Sequence, residues 1–220
     1  MQRDPETQTV SRPDFERLLD WEVERGRTER RAFTLAVVDL DGFGRHGEAL
    51  GEERAGELLK KVAQTLRAHS REGDVIGRGE GDQFLVLLPD TPQEQGLFIL
   101  EDVRRLLASS TFRLGEKSAK CTFSAGLASF PKDATSSDEL VWKAEAALWR
   151  AKWSGRNRVM LAVSEKMVLK SNYYPRTQLD QLAVLANALR RTEASLLREA
   201  LADLVRRHES EIKEKPLPPA

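Results

Sequence analysis

Short apolar runs alternate along this chain with segments whose apolar residues recur every three or four positions. The first periodic segment, PDFERLLDWEVERGRTERR, places Phe15, Leu18, Leu19 and Trp21 on one face of a helix, and Pro13 fits its first turn. FTLAVVDLD follows, an apolar run ending in two acids, as a buried strand reads when its C-terminal end faces a site. Residues 51–68 form an amphipathic helix through Ala55, Leu58, Leu59, Val62, Ala63 and Leu66. In DVIGRGEGDQFLVLLPD, FLVLL is bounded by GEGDQ and PD, which predicts two strands around a tight glycine-containing turn. A helix from about Pro92 to Ala108, the strand CTFSAGLASF, the helix SSDELVWKAEAALWRAKWSG and the strand NRVMLAV complete the block.

The alternation predicts an α/β architecture, an α+β sandwich of one central sheet with flanking helices, ending near Val163. The expected organisation is a flexible segment 1–12, a main domain 13–163, a small domain 164–209 and a disordered tail 210–220. In the small domain SEKMVLKSNYYP can form one short strand. A helix follows through Leu179, Leu182, Leu185, Ala186 and Leu189. Thr192 then caps a second helix carrying Leu196, Leu197, Ala200, Leu201, Leu204 and Val205. So small a unit buries little core alone. Either two copies pair their strands and interlock their helices, or the helices pack back on the larger domain.

The 40% hydrophobic and 32% charged residues suit a soluble globular chain. Thirty-five basic residues balance thirty-five acidic ones, so any contact with nucleic acid needs a local basic surface. Cys121 is the only cysteine, which excludes an intrachain disulfide or a cysteine metal cluster; within CTFSAGLASF it reads as a buried, inert thiol. MQRDPETQTVSRPDF lacks the apolar core of a signal peptide, and no stretch approaches the roughly 20 apolar residues of a membrane span. A cytoplasmic protein without a membrane partner is expected.

Four stretches carry a resemblance. VVDLDGF resembles a strand ending in D-x-D-x-F, and RGEGDQF stands where the signature R-Y-G-G-D-E-F belongs. CTFSAGLASF is similar to a T-x-S-x-G strand, and AEAALWRAKWSGRNRV to the ending A-D-x-A-L-Y-x-A-K-x-x-G-R-N-x-V. Residues 12–160 thus resemble the GGDEF family, the diguanylate cyclases, with only the N-terminal LTGL-N-R-R element largely missing. The resemblance implies a nucleotide-cyclase-like sheet on which two GTP-loaded sites face each other to yield cyclic di-GMP and pyrophosphate. Carboxylates there hold Mg²⁺, which neutralises phosphate charge. Asp39 and Asp82 match the metal positions, and Lys152 and Arg156 match the phosphate grip.

Other positions depart from the pattern. Gly47 and Gly56 replace the guanine-reading Asn and Asp, Glu80 a signature glycine, and Gln83 the signature Glu; Gly44 and Glu52 replace a Lys and a His. A carboxylate at 80 would oppose stabilisation of the transition state. The expectation is therefore a chain that is not an enzyme, with no catalytic residue and no required cofactor. Asp39 and Asp82 would then bind Mg²⁺ weakly, beside a vestigial phosphate grip. Arg71 and Asp74 fill the family's product-binding R-x-x-D motif, with Arg104 or Arg105 near a further arginine of that site. Arginine can fork onto a phosphate or guanine edge and aspartate can accept from guanine donors, so cyclic di-GMP is expected as effector.

KSNYYPRTQLDQLAVLANALRRTEASLLREALADLVRR resembles the ribbon-helix-helix repressors, through its strand, its proline, the L-x-x-L-A pattern and L-L-R-E-A-L. That resemblance implies a homodimer through the C-terminal domain, with a two-stranded ribbon in the major groove of double-stranded DNA. Aligning the proline points Leu169, Ser171 and Tyr173 at the bases, whereas polarity favours Lys170 and Asn172; the phase stays open within 170–173. Arg190, Arg191, Thr192 and Ser195, beside Glu193, would meet phosphates at the second helix's N-terminus. The reading is a dimeric DNA-binding transcription regulator whose inactive cyclase-like domain senses cyclic di-GMP. Its alternatives are constitutive DNA binding with a scaffold-only domain, a residual nucleotide-binding enzyme, or an antitoxin-like interaction module.

Overall fold

The computed structural model describes residues 1–163, 173–189 and 191–208, apart from the side chains of residues 45, 46, 202 and 206. The chain divides into two units, Met1–Ser164 and Glu165–Ala220. The first contains α1 (Arg12–Glu29), β1 (Phe33–Leu40), α2 (Phe43–Leu50), α3 (Glu52–Ala68), β2 (Val75–Arg78), β3 (Gln83–Leu88) and α4 (Gln93–Ser109). After these come β4 (Phe112–Leu114), β5 (Lys117–Ala119), β6 (Phe123–Phe130), α5 (Ser137–Trp153) and β7 (Val159–Leu161).

The main sheet has the order β2-β3-β1-β6-β7, and only β6 and β7 run parallel. All eight residues of β1 are buried, because helices cover both faces of the sheet. Alternation along the strand sends Ala36 and Val38 to one core and Leu35 and Val37 to the other. The first core is closed by Leu58, Val62 and Leu66 of α3 with Leu100, Val103 and Leu107 of α4. Phe15, Leu19 and Val23 of α1 and Leu140, Ala144 and Leu148 of α5 close the second. Trp21, expected inside, is exposed with Arg25 lying 5.2 Å from its ring centroid. The backbone of α5 lies directly on β6 at Gly126, where an added Cβ would come within 2.0 Å of the Ala144 carbonyl oxygen.

Three parts of this unit differ from the sequence reading. The N-terminal segment, expected to be flexible, is tied down: Val10 is buried, its N–H donates to Ile76 and its carbonyl accepts from Arg78. The Arg67 guanidinium further holds the carbonyls of Thr7 and Gln8 at 2.6 and 3.2 Å. The short helix α2 and the hairpin β4–β5 were not anticipated.

The second unit holds α6 (Arg176–Leu189) and α7 (Glu193–Arg207), as the periodicity predicts. Thr192 Oγ1 accepts from the Ser195 N–H at 3.1 Å, a true N-cap. Among the described residues of these helices Ala186, Ser195 and Leu196 are buried, while Val184, Leu185, Leu189, Leu201 and Leu204 are exposed. The expected strand, with Lys170, Ser171 and Asn172, lies outside the described residues, as does Arg190. The described residues of this unit contain helices and no strand, so no separate ribbon-helix-helix domain is found in them.

Candidate functional site

The site forms at one end of the sheet, where β1 finishes between β3 and β6. Asp39 is paired in register with Gln83 and Ser124. Its side chain is nearly buried, and burying a charge demands partners. Lys152, in the last turn of α5, brings Nζ to 2.8 Å from Asp39 Oδ1. Gln83 Nε2 donates to Asp39 Oδ2 at 3.3 Å.

Asp82 lies in the turn between β2 and β3, which Gly81 enters at a φ of 55°. Burial, and then the negative charge of Asp39, push the Asp82 carboxyl up to about 6, with Lys152 and Arg78 pulling it back only in part. Two carboxylates that repel one another invite a cation. Among the described residues no group of three or more His, Cys, Asp or Glu side chains could hold a metal. Asp39 and Asp82 are the carboxylates here that could hold a hard cation such as Mg²⁺.

The departures noted in the sequence take on definite surroundings. Glu80 forms an ion pair with Arg12 at the start of α1, which offsets its charge. Gln83, in place of an acid, serves as a donor to Asp39. Open space surrounds Gly47. Gly56 is different: an added Cβ would meet Glu6 Oε1 at 2.2 Å, so a carboxylate from the N-terminal segment occupies the place of a side chain there. Glu6 Oε2 in turn lies 3.9 Å from Arg78 Nη2. No sequence pattern links positions 6 and 56; the fold alone joins them.

Arg156 sits in the turn after α5 in a left-handed conformation, its N–H donating to the Ala151 carbonyl at 3.1 Å. Arg71 and Asp74 close their own turn: the Asp74 carboxylate accepts from the Arg71 N–H at 2.8 Å and lies 3.6 Å from its guanidinium. The Asp74 side chain is only 3% exposed whereas that of Arg71 is 52% exposed, so Arg71 is the group presented outward. Thr91 Oγ1 also accepts from this guanidinium, a partner the sequence did not reveal. Arg104 is engaged by Glu101 at 2.8 Å and by Asn157 Oδ1 at 2.8 Å. Arg105 is mostly exposed, 3.8 Å from Glu101.

In the second unit Tyr173 is fully exposed. Arg191 pairs with Glu199 and donates to Ser195 Oγ at 2.8 Å, and Ser195 is buried. The Thr192 hydroxyl caps the helix. These groups make internal contacts at the start of α7, where a phosphate clamp was expected.

Residues 1–158 match the family described as "Diguanylate cyclase, GGDEF domain". The chain is 35% identical over 160 residues to diguanylate cyclase DgcP of Pseudomonas aeruginosa, covering 72% of this chain and 24% of that protein. Among solved structures it is similar to diguanylate cyclase SiaD of Pseudomonas aeruginosa in complex with its activator SiaC. That match has 31% identity and a TM-score of 0.69 and covers 73% of this chain and 61% of the other. It is also similar to the GGDEF domain of DgcB from Caulobacter crescentus in complex with c-di-GMP, at 25% identity, a TM-score of 0.69, and 74% and 93% coverage. The chain spans 20–43% of the length of the curated relatives it matches.

These likenesses correct two expectations. The chain was expected not to be an enzyme, yet the relatives named above are diguanylate cyclases. Glu80, one of the departures behind that expectation, is ion-paired with Arg12. A DNA-binding transcription regulator was also expected. The relatives are instead cyclases and a cyclic di-GMP phosphodiesterase, and the α7 groups assigned to DNA make internal contacts.

Proposed function

The chain belongs to the diguanylate cyclase GGDEF family, and from that premise we propose that its first unit is a nucleotide-handling enzyme domain that binds GTP with Mg²⁺ and forms cyclic di-GMP. The observation that carries this reading is the Lys152–Asp39 contact at 2.8 Å beside Asp82. It gathers a phosphate-binding cation and two metal-binding acids at one strand end. Mg²⁺ would supply charge neutralisation on the triphosphate, held by Asp39 and Asp82. Lys152 exchanges its contact with Asp39 for a phosphate oxygen, Arg156 adds a second cationic donor, and Gln83 orients Asp39. Glu6 is the carboxylate available on the base side, where Gly47 and Gly56 offer no side chain.

Joining two nucleotides requires two copies of the site, so the active form is a homodimer. Pairing through α6 and α7 fits their exposed Val184, Leu185, Leu189, Leu201 and Leu204, which a second copy would bury. Cyclic di-GMP, the product, binds at Arg71, with Asp74 and Thr91 fixing the guanidinium.

Titration calorimetry of the full chain with a non-reacting GTP analogue and Mg²⁺ tests the binding. Saturable heat is expected, with affinity lowered about tenfold or more in Lys152→Ala, as suits loss of a charge-assisted contact. Absence of heat with the native chain would refute the reading.

A further inference from the structure

Asp39 and Asp41 leave the end of β1 together but serve different parts of α5. Asp39 meets the Lys152 side chain. Asp41 turns to the chain that follows the helix: its Oδ2 accepts from the Asn157 N–H at 3.0 Å and from Thr122 Oγ1 at 2.7 Å, and its Oδ1 accepts from Ser124 Oγ at 2.7 Å. Its own N–H donates to the Thr122 carbonyl at 2.9 Å. The carboxylate is thereby fixed by three donors.

The turn it holds is unusual. Gly155, Arg156 and Asn157 stand in succession at φ values of 111°, 63° and 46°. Non-glycine residues enter this region only at a cost, so two in a row need outside restraint. Asp41 provides it at the Asn157 main chain. On the side-chain end, Arg104 Nη1 donates to Asn157 Oδ1 at 2.8 Å, and Glu101, which grips Arg104, accepts from the Val159 N–H at 3.2 Å.

We propose that Asp41 is a positioning residue: by clamping the Asn157 main chain, it holds the left-handed turn that aims Arg156 at a nucleotide phosphate. Arg104 and Glu101 complete the clamp from α4. This assignment rests on the phosphate role given above to Arg156, but the clamp itself can be read without ligand.

Two measurements on the full chain test it. In ligand-free hydrogen exchange, Asp41→Ala should speed exchange of the Asn157 amide about tenfold or more, in keeping with loss of a restraining hydrogen bond. In calorimetry with Mg²⁺ and a non-reacting GTP analogue, the same variant should bind about tenfold more weakly. Asp41→Asn should stay within about threefold of the native chain in both, because its carbonyl can still accept from Asn157 while Ser124 accepts from its amide. Equal damage by both variants would assign Asp41 a charge role and overturn the proposal. So would native behaviour of Asp41→Ala. If Asp41→Ala does not fold, Thr122→Val combined with Ser124→Ala removes the two hydroxyl donors that fix the Asp41 carboxylate; it should accelerate exchange of the Asn157 amide, and native exchange there would equally overturn the clamp. A native chain that binds no nucleotide yet shows the exchange effect would defeat the proposed function while leaving the clamp standing.

Discussion

Replacing Asp82 with Asn should stabilise the metal-free protein at neutral and alkaline pH. Asp82 is partly buried and faces the charge of Asp39, so its carboxyl is raised from 3.8 to about 6. In linkage terms, a carboxyl raised on folding contributes stability that is fully present below 3.8 and lost as pH rises through about 6. Above that pH the ionised Asp82 is a burden on the folded state. A rise from 3.8 to about 6 corresponds to about 3 kcal/mol at most; partial solvation brings the expected gain for Asp82→Asn to about 1–2 kcal/mol. For a chain of this size that is roughly 2–8 °C in melting temperature. Circular dichroism melts in chelator, from pH 4 to pH 8.5, would read it. The Asn variant should melt higher at pH 8, and the difference should shrink as pH falls through about 6 and vanish near pH 4. Millimolar Mg²⁺ should favour the native chain instead, since the variant gives up a ligand. An advantage independent of pH, or none at pH 8, would refute the picture of two repelling carboxylates.

Three further outcomes follow from the packing and the contacts. Gly126→Ala should destabilise by about 3 kcal/mol or more, or prevent folding, because the new Cβ would strike the α5 backbone; chemical denaturation checks this. Arg71→Ala should weaken cyclic di-GMP binding at least about tenfold in calorimetry, while Thr91→Val, which removes only the hydroxyl partner, should cost about threefold. Glu6→Gln should narrow any preference for GTP over ATP analogues with little effect on melting temperature; an unchanged ratio would remove Glu6 from the base side.

The buried strands were legible because β1, β3 and β6 are continuous apolar runs, and the covering helices because Leu58, Val62 and Leu66, or Leu100, Val103 and Leu107, keep helical spacing. The short helix α2, FGRHGEAL, escaped notice because two glycines within eight residues depress its helix propensity. The three-residue strands β4 and β5 are too short for periodicity to register. At the N-terminus a single apolar residue, Val10, anchors the segment through main-chain hydrogen bonds, which leave no trace in side-chain pattern. In the site, Asp39, Asp82 and Lys152 were found through motif resemblance, and the ion pair joins two of them. The ion pair of Glu80 with Arg12 was hidden because the two lie 68 residues apart in sequence. Glu6 over Gly56 and Asp41 on Asn157 were hidden for the same reason. The helices of the second unit were legible from their periodicity, and Thr192 caps α7 as its residue type and place imply.

The most direct test of the central claim is turnover. The full chain, incubated with GTP and Mg²⁺ and followed by chromatography with mass detection, should release cyclic di-GMP and pyrophosphate, and Asp82→Ala or Lys152→Ala should abolish release. The product should carry both guanosines of two GTP molecules, with one pyrophosphate leaving from each. No cyclic di-GMP above a protein-free control, under conditions where calorimetry shows the nucleotide bound, would contradict the account.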